Sequence, residues 1–571
     1  MKKSGYEFYI ASSLEKVFPN SRPEELKSSR TLSLWGKEKG AVQLVYIKEE
    51  KNEFPPLMDF NIEITGAPCK AEIKKVDLVP SELPCYEIRD EHYITDKPGL
   101  FPDLLSHVES VVVKPLGGQY RSLWIDFELP EDVQPGDYKV EIRAKAVHKK
   151  VLPNGVIFEI PEAEGLEFTN EIVIKVGRAK LPEQSLIHTE WLHTDSIADY
   201  YGTKVFDEKH WVLIEKFIRS AAKHNINMLL TPVFTPPLDT EVGCERRTVQ
   251  LVDIYKVNNK YTFRFEKLYR WCDLCKKYGI KYLEIPHFFT QWGAVAAPKI
   301  VAEVDGKEEK IFGWETCASG KEYRAFLEQF VPALQDELEK LGYDKDHVYY
   351  HISDEPSETQ IEAYKAARET VCDLLPEDKI IDALSSVKFY KEGVIPHPVP
   401  GTSEVDEFYK EGVENLWVYY CCAQAKDVPN RFFAMESARN RIMGVLIYLY
   451  NIKGFLHWGF NYYYTQYTKK LINPYITTDA GYAFASGDAF LVYPGSNGEP
   501  LDSIRAEVQD EGITDLRALQ MLETLTDRKY VESIIYENLS VKTMNFKEYP
   551  RDAKWLLNLR ERIAEEIEKR L

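Results

Sequence analysis

No stretch of this 571-residue chain approaches the ~20 uninterrupted apolar residues that a membrane-spanning helix needs. The N-terminal segment, Met1-Lys-Lys-Ser-Gly-Tyr-Glu-Phe-Tyr-Ile10, has two lysines but no apolar run behind them, so it lacks the form of a secretory signal. The expectation is a cytoplasmic protein without a membrane partner. Positive charge is also in deficit: 72 Lys and Arg stand against 91 Asp and Glu, a formal net charge of −19, and no basic stripe interrupts the excess. Such a surface repels phosphate backbones, which excludes nucleic acid as an expected partner and leaves a homo-oligomer compatible with the composition.

Cysteine is sparse and irregular. Nine residues, an odd number without regular spacing, read as reduced, mostly buried thiols rather than a disulfide framework. Cys272-Asp-Leu-Cys275 has the spacing of a redox or zinc motif, but no second pair is nearby. Positions 268, 271, 272, 275 and 278 make one apolar helical face, so packing is the better reading. The chain also lacks a P-loop, a His-Glu-x-x-His helix and a Gly-x-Ser-x-Gly elbow. No metal and no cofactor is expected.

What the chain has in surplus is aromatic side chains, 13% of all residues, with 35 Tyr and 10 Trp. Most of these must pack in cores, yet stacking on sugar rings is one use of an exposed Trp or Tyr. The length exceeds what one core serves, which predicts two or three domains. Residues 1–180 read as an antiparallel β-sandwich: odd positions are apolar in Leu123-Trp-Ile-Asp-Phe-Glu-Leu129, and alternation recurs in Tyr138-Lys-Val-Glu-Ile142 and at Ile172, Ile174 and Val176. Residues 181–510 change to short apolar runs, each followed by an amphipathic stretch, the rhythm of a parallel sheet. Candidate strands are Leu186–Trp191, Asn227–Thr231, Ile280–Pro286, Val348–Ile352, Ile380–Leu384, Leu416–Cys421, Gly454–Trp458 and Ala489–Tyr493. Ser319-Gly-Lys-Glu322 and Ser357-Glu-Thr-Gln360 supply capping-box patterns between them. A multidomain α/β chain with a (β/α)8 TIM-like barrel fits best; a doubly wound sheet competes, but no Gly-x-Gly-x-x-Gly turn follows the first strand. Residues 511–571 are expected to form a C-terminal helical segment packed on the barrel, since 505–522 and 555–571 are both amphipathic.

In a barrel, catalytic groups gather where strands end. Those ends offer Glu190 and Trp191; His287 and Trp292; His351, Asp354 and Glu355; Trp417 and Tyr419; then His457, Trp458, Asn461 and Tyr463. Polar groups interleaved with large aromatics describe a sugar subsite. Glycosidic bonds break through an oxocarbenium-like transition state that usually needs two carboxylates flanking the bond. Asp354 and Glu355 are sequence neighbours, whose side chains diverge on an extended backbone, so they suit another division of labour. If the sugar carries a 2-acetamido group, its carbonyl oxygen can attack the anomeric carbon while one carboxylate orients it and the other supplies the proton. A hydrolase for an ordinary hexoside would instead need a second acid, with Glu190, Asp382 and Asp479 as candidates.

Three stretches carry a family likeness: His351-Ile-Ser-Asp-Glu-Pro356; Gly454-Phe-Leu-His-Trp-Gly459 followed by Asn461; and Gly487-Asp-Ala-Phe-Leu-Val-Tyr-Pro-Gly495 running through Ser503-Ile-Arg505 to Glu511-Gly-Ile-Thr-Asp515. In these the chain resembles glycoside hydrolase family 123, across about residues 180–530, and the β-rich first part looks like that family's N-terminal sandwich. The resemblance implies a retaining β-N-acetylgalactosaminidase acting on a glycan or glycoconjugate with a terminal N-acetylhexosamine. It implies Asp354 as stabiliser of the cyclised intermediate and Glu355 as general acid/base. The chain departs from the family's common look in having His457-Trp458 where a Tyr-Trp pair is frequent. An inverting course, a non-acetamido hexoside and a non-catalytic carbohydrate-binding protein stay open as alternatives.

Overall fold

Alternating apolar residues need two covered faces to become buried strands, and the first part of the chain supplies them. The computed structural model describes residues 5–49, 58–108, 111–151, 155–537, 539 and 543–571; the lysines at 2 and 3 lie outside the described residues. One five-stranded sheet has the order Tyr6–Ser12, Lys39–Lys48, Arg121–Glu128, Ala71–Ser81 and Gly99–His107, and the other Ser29–Leu34, Glu167–Val176, Gly136–Ala146, Phe60–Thr65 and Val112–Val113. Leu123, Ile125 and Phe127 from the first meet Val140, Ile142, Ile172 and Ile174 from the second in a shared core. The pairing departs from the expected antiparallel pattern where Ser29–Leu34 runs parallel to Glu167–Val176. Trp124 and Asp126, on the face that alternation assigns to solvent, are also buried. That face lies against the second half of the chain, where Trp124 joins the larger core.

The second half is built on parallel strands, labelled here β1 (Ile187–Glu190), β2 (Met228–Leu230), β3 (Tyr282–Ile285), β4 (Val348–Tyr350), β5 (Asp382–Leu384), β6 (Pro398–Pro400), β7 (Trp417–Tyr419) and β8 (Gly454–His457). Six form one sheet in the order β4-β3-β2-β1-β8-β7. β5 and β6 pair with each other, and single parallel bridges, Tyr350 to Ile380 and Gly401 to Tyr419, link this pair to both sheet edges. The first seven expected strands coincide with β1–β5, β7 and β8. The expected strand Ala489–Tyr493 does not belong to the sheet: Tyr493–Pro494 makes a short hairpin with Pro500–Leu501. Its apolar residues are buried in the core without joining the parallel sheet, so hydrophobicity alone misled. β6 has proline at both ends, which forfeits two backbone donors and hides the strand from propensity rules.

Ser357 and Gln360 make both halves of a capping box at the turn that opens the helix Ile361–Glu369. Ser319 does not cap: the helix Lys321–Lys340 begins after Gly320, with no side-chain cap. The helix Glu266–Lys277 buries Leu268, Trp271, Cys272 and Cys275 on one face, as packing requires. The long helix Ile504–Leu525 lies between the two halves and carries buried charges, Glu507 and Asp510 among them. Among the described residues no helix is long and apolar enough to cross a membrane.

Candidate active site

β4 ends at Tyr350, and the next residues turn sharply. Glu355 has φ +44°, a left-handed conformation that costs a β-carbon-bearing residue energy, and its N–H donates to the Ala383 carbonyl at 3.1 Å. That bond to β5 fixes the turn, and the turn sends two successive carboxylates into one cleft. The cleft, about 220 Å³, is lined by Asp354, Glu355, Trp191, His193, Asp239, Gln291, Trp292, Tyr419, Cys421, Cys422, Trp458, Gln466 and neighbouring apolar side chains.

Asp354 is 8% exposed, while Glu355 is open to the cleft. Gln291 Nε2 donates to Asp354 Oδ2 at 2.6 Å, and the Tyr419 hydroxyl donates to Glu355 Oε1 at 2.6 Å. Burial, and then the charge of Glu355, push the Asp354 carboxyl well above the ordinary carboxylate range. Enclosure by the cleft walls raises Glu355 as well, against the lowering effect of the Tyr419 bond. Either acid can therefore hold a proton at a pH where an exposed carboxylate has lost it.

Under the pair lies a fully buried support. His351 Nε2 is 2.6 Å from Glu284 Oε1 and its Nδ1 is 3.3 Å from Asp382 Oδ1. These acids overcome desolvation and raise His351 to about 10, so it is an imidazolium in the neutral range. Glu284 also accepts the Trp191 indole N–H at 2.7 Å, which orients that ring in the cleft wall. His287 stacks on His351 with centroids 4.3 Å apart, and burial beside that cation keeps it neutral. His287, His351 and Asp382 are close enough together to suggest a metal site. Yet both His351 nitrogens already face acids and Asp382 also accepts from Tyr364 and the Ile352 N–H, so the trio does not present a free ligand set.

The expected site residues divide by place. Trp191, Trp292, Tyr419 and Trp458 line the cleft with Asp354 and Glu355. His287 and His351 sit beneath it. Glu190 is buried elsewhere, accepting from Arg431 Nη1 at 2.8 and 2.9 Å and from Gln509 at 2.6 Å, and the guanidinium holds it far below the carboxylate range. His457 belongs to the same group through Arg431 Nη2 at 2.8 Å. Asn461 fixes the backbone of His193, whose N–H it accepts at 2.8 Å. Tyr463 donates to the Val492 carbonyl, and Trp417 packs on Tyr349; both are buried away from the cleft. Sequence reasoning missed Gln291, His193 and Asp239. Gln291 adjoins Trp292 in the loop after β3, so extending each strand end by a few polar residues would have found it.

A model of the glycoside hydrolase 123 catalytic domain matches residues 191–522, more than half of the chain. The chain belongs to glycoside hydrolase family 123. A family 123 glycoside hydrolase from Clostridium perfringens, solved for the details of glycolipid glycan hydrolysis, superposes with a TM-score of 0.71 over 99% of this chain and 98% of that one. The two are 15% identical, so this likeness concerns the fold. The CBM22-1–GH10 modules of a Clostridium thermocellum endo-1,4-beta-D-xylanase, complexed with xylohexaose, cover 90% of this chain and 95% of that one at 7% identity; their TM-score of 0.30 carries no weight for fold. No curated protein sequence matches. Family 123 membership makes the chain a glycosidase with glycan substrates, and all three recognised stretches fall within the matched segment.

Proposed function

We propose that this chain releases a terminal β-linked N-acetylgalactosamine from a glycan or glycoconjugate, with retention, by using the substrate's acetamido group as nucleophile. The observation that carries this reading is the adjacent pair itself: Asp354 anchored by Gln291 and Glu355 by Tyr419 in one cleft. The cleft is smaller than the ~300–1,000 Å³ of drug-sized ligand pockets, which suits one terminal sugar.

In the first step the acetamido carbonyl oxygen attacks the anomeric carbon. Asp354, as carboxylate, accepts the amide N–H and offsets the positive charge that develops on the ring being formed. Glu355, protonated, gives its proton to the departing glycosidic oxygen. In the second step the same Glu355, now a carboxylate, takes a proton from the water that opens the cyclic intermediate. The retaining course follows from two successive attacks at one carbon.

The acids considered for an ordinary hexosidase are committed elsewhere: Glu190 to Arg431, Asp382 to His351 and Tyr364, and Asp479 to the N–H groups of Gly481 and Tyr482 at 3.1 Å. Asp239 is a further carboxylate lining the cleft; its Oδ2 accepts from the Tyr462 hydroxyl at 2.5 Å and the Tyr467 N–H at 2.8 Å. The parallel strands with their two linking bridges are read as a single (β/α)8-type barrel, whose strand ends supply the cleft. The Clostridium perfringens relative, described by glycolipid glycan hydrolysis, supports a glycoconjugate as natural substrate. Turnover of aryl β-N-acetylgalactosaminide and β-N-acetylglucosaminide tests the reading. Hydrolysis of the first with tight inhibition by a thiazoline mimic of the cyclised intermediate is expected; turnover of neither between pH 4 and 8 would sink it.

A further inference from the structure

Two adjacent cysteines follow Tyr419 at the end of β7, and the chemistry described so far leaves them without a task. Both line the cleft; Cys421 is buried and Cys422 is half-buried. Cys421 Sγ lies 4.0 Å from Glu355 Oε1, on the oxygen that also accepts the Tyr419 hydroxyl. The Cys421 sulfur is further fixed by the Gln424 side-chain oxygen at 3.2 Å and the Ala423 N–H at 3.5 Å. The neighbouring Cys422 thiol, and then burial, hold the Cys421 thiol well above the ordinary thiol range. The two cysteines are neighbours in sequence on one cleft wall, and the sulfur of one of them lies against the proposed acid.

We propose that Cys421 and Cys422 form an oxidation-sensitive modification site at Glu355, closed to a disulfide by a low-molecular-weight disulfide and thereby switching off hydrolysis. The inhibitory part rests on Glu355 being the general acid; the thiol chemistry does not. The more exposed Cys422 loses its proton and attacks one sulfur of the oxidant, breaking its S–S bond and releasing one thiolate, which takes up that proton. Cys421 then loses its proton and attacks Cys422 Sγ, expelling the second thiol. Two cysteines are oxidised and one external disulfide is reduced to two thiols.

Closure has a mechanical consequence. Cys421 and Cys422 lie in the turn beyond β7, and a disulfide between them must hold their β-carbons within roughly 3.5–4.5 Å. The peptide between 421 and 422 must therefore twist, two residues from the tyrosine that holds Glu355. The acid loses the Cys421 thiol and the set position of the Tyr419 hydroxyl together. The other cysteines offer no such arrangement: Cys272 and Cys275 are buried on a helix, and Cys244 and Cys317 are exposed in separate loops.

The test is incubation of the full chain with oxidised glutathione, followed in parallel by peptide mass mapping and by hydrolysis of an aryl β-N-acetylgalactosaminide. The 421–422 peptide is expected to lose the mass of two hydrogens, with hydrolysis falling in proportion to the fraction converted and dithiothreitol restoring both. Cys422→Ser should remove the oxidant's effect on rate, measured relative to that variant's own starting activity. The proposal is overturned if the peptide stays reduced while Cys244 and Cys317 become glutathionylated, or if the disulfide forms and the rate is unchanged. Should the chain fail to turn over the glycoside before oxidation, the substrate reading fails, and the mass map still decides whether the site exists.

Discussion

Two groups of buried charge in this molecule are built on opposite rules. Where the β-rich N-terminal region meets the helix Ile504–Leu525, Asp126, Asp502, Glu507 and Asp510 face Lys39, Lys74, Lys223 and His224. Lys74 Nζ alone reaches Asp126 at 2.8 Å, Asp502 at 3.1 Å and Glu507 at 3.3 Å. The cations hold Glu507 down to about 2 and Asp502 well below its ordinary value, whereas Asp126, crowded by burial and by Glu507, is pushed up to about 6. In the cleft, among the described residues, no cation forms an ion pair with Asp354 or Glu355, and both are raised. Matched charge ties the halves of the chain together. Unmatched acids destabilise the fold and persist where chemistry needs them.

The largest expected effect lies in the cleft. Glu355→Gln should lower kcat/KM by roughly 10²–10⁴-fold on a substrate with a poor leaving group and far less on an activated aryl glycoside, because only the former needs a proton from the acid. Asp354→Asn should slow both substrates alike. An equal loss on both substrates for Glu355→Gln would remove it from the acid's role.

The junction should respond in stability instead. Lys74→Met leaves three carboxylates without their shared cation, and breaking a buried pair in this way costs about 3–5 kcal/mol. The melting temperature should fall clearly while the rate per folded molecule holds. If the melting temperature is unchanged, the ion network is not what joins the halves.

The same measurement in the cleft should have the opposite sign. A carboxyl whose folded pKa is raised destabilises the fold by an amount that grows as pH climbs from the unfolded value toward the folded one. Asp354→Asn removes that charge and should therefore stabilise the protein at pH 7, on the order of 1 kcal/mol or more, with little gain near pH 4. Destabilisation at both pH values would show that the carboxylate is structurally paired after all.

The smallest effect is a slope. His224 is raised from 6.5 to about 9 by Asp510 and Asp502 against its own burial, so its contribution to stability is whole below about 6.5 and is lost as pH rises through about 9. His351, raised to about 10, acts in the same direction. His224→Gln should flatten part of the decline in melting temperature across that window; an unaltered slope would assign the decline to other groups.

Much of this division was legible before any coordinates. Alternation gave the strand Arg121–Glu128 and strand–helix rhythm gave β1–β5, β7 and β8, because apolar periodicity reports which face is covered. It failed at β6, where proline suppresses the signal, and at Ala489–Tyr493, where burial does not mean membership of the parallel sheet. Asp354 and Glu355 stood out through their adjacency. Glu190, Asp382 and Asp479 read as candidates for a second acid in an ordinary hexosidase, since a sequence does not show that Arg431, more than two hundred residues away, ends beside the first of them. Whether a carboxylate has a cation partner is a property of the fold.

The substrate's own nucleophile can be weakened without touching the protein. Replacing the hydrogens of the acetamido methyl group one by one with fluorine withdraws electrons from the carbonyl oxygen and leaves the leaving group and the Glu355 proton transfer as they were. A steep fall in kcat/KM with each fluorine on an aryl β-N-acetylgalactosaminide is the outcome expected if that oxygen attacks the anomeric carbon beside Asp354. A rate insensitive to fluorine would mean that water or a protein carboxylate, with Asp239 the first to examine, attacks in its place.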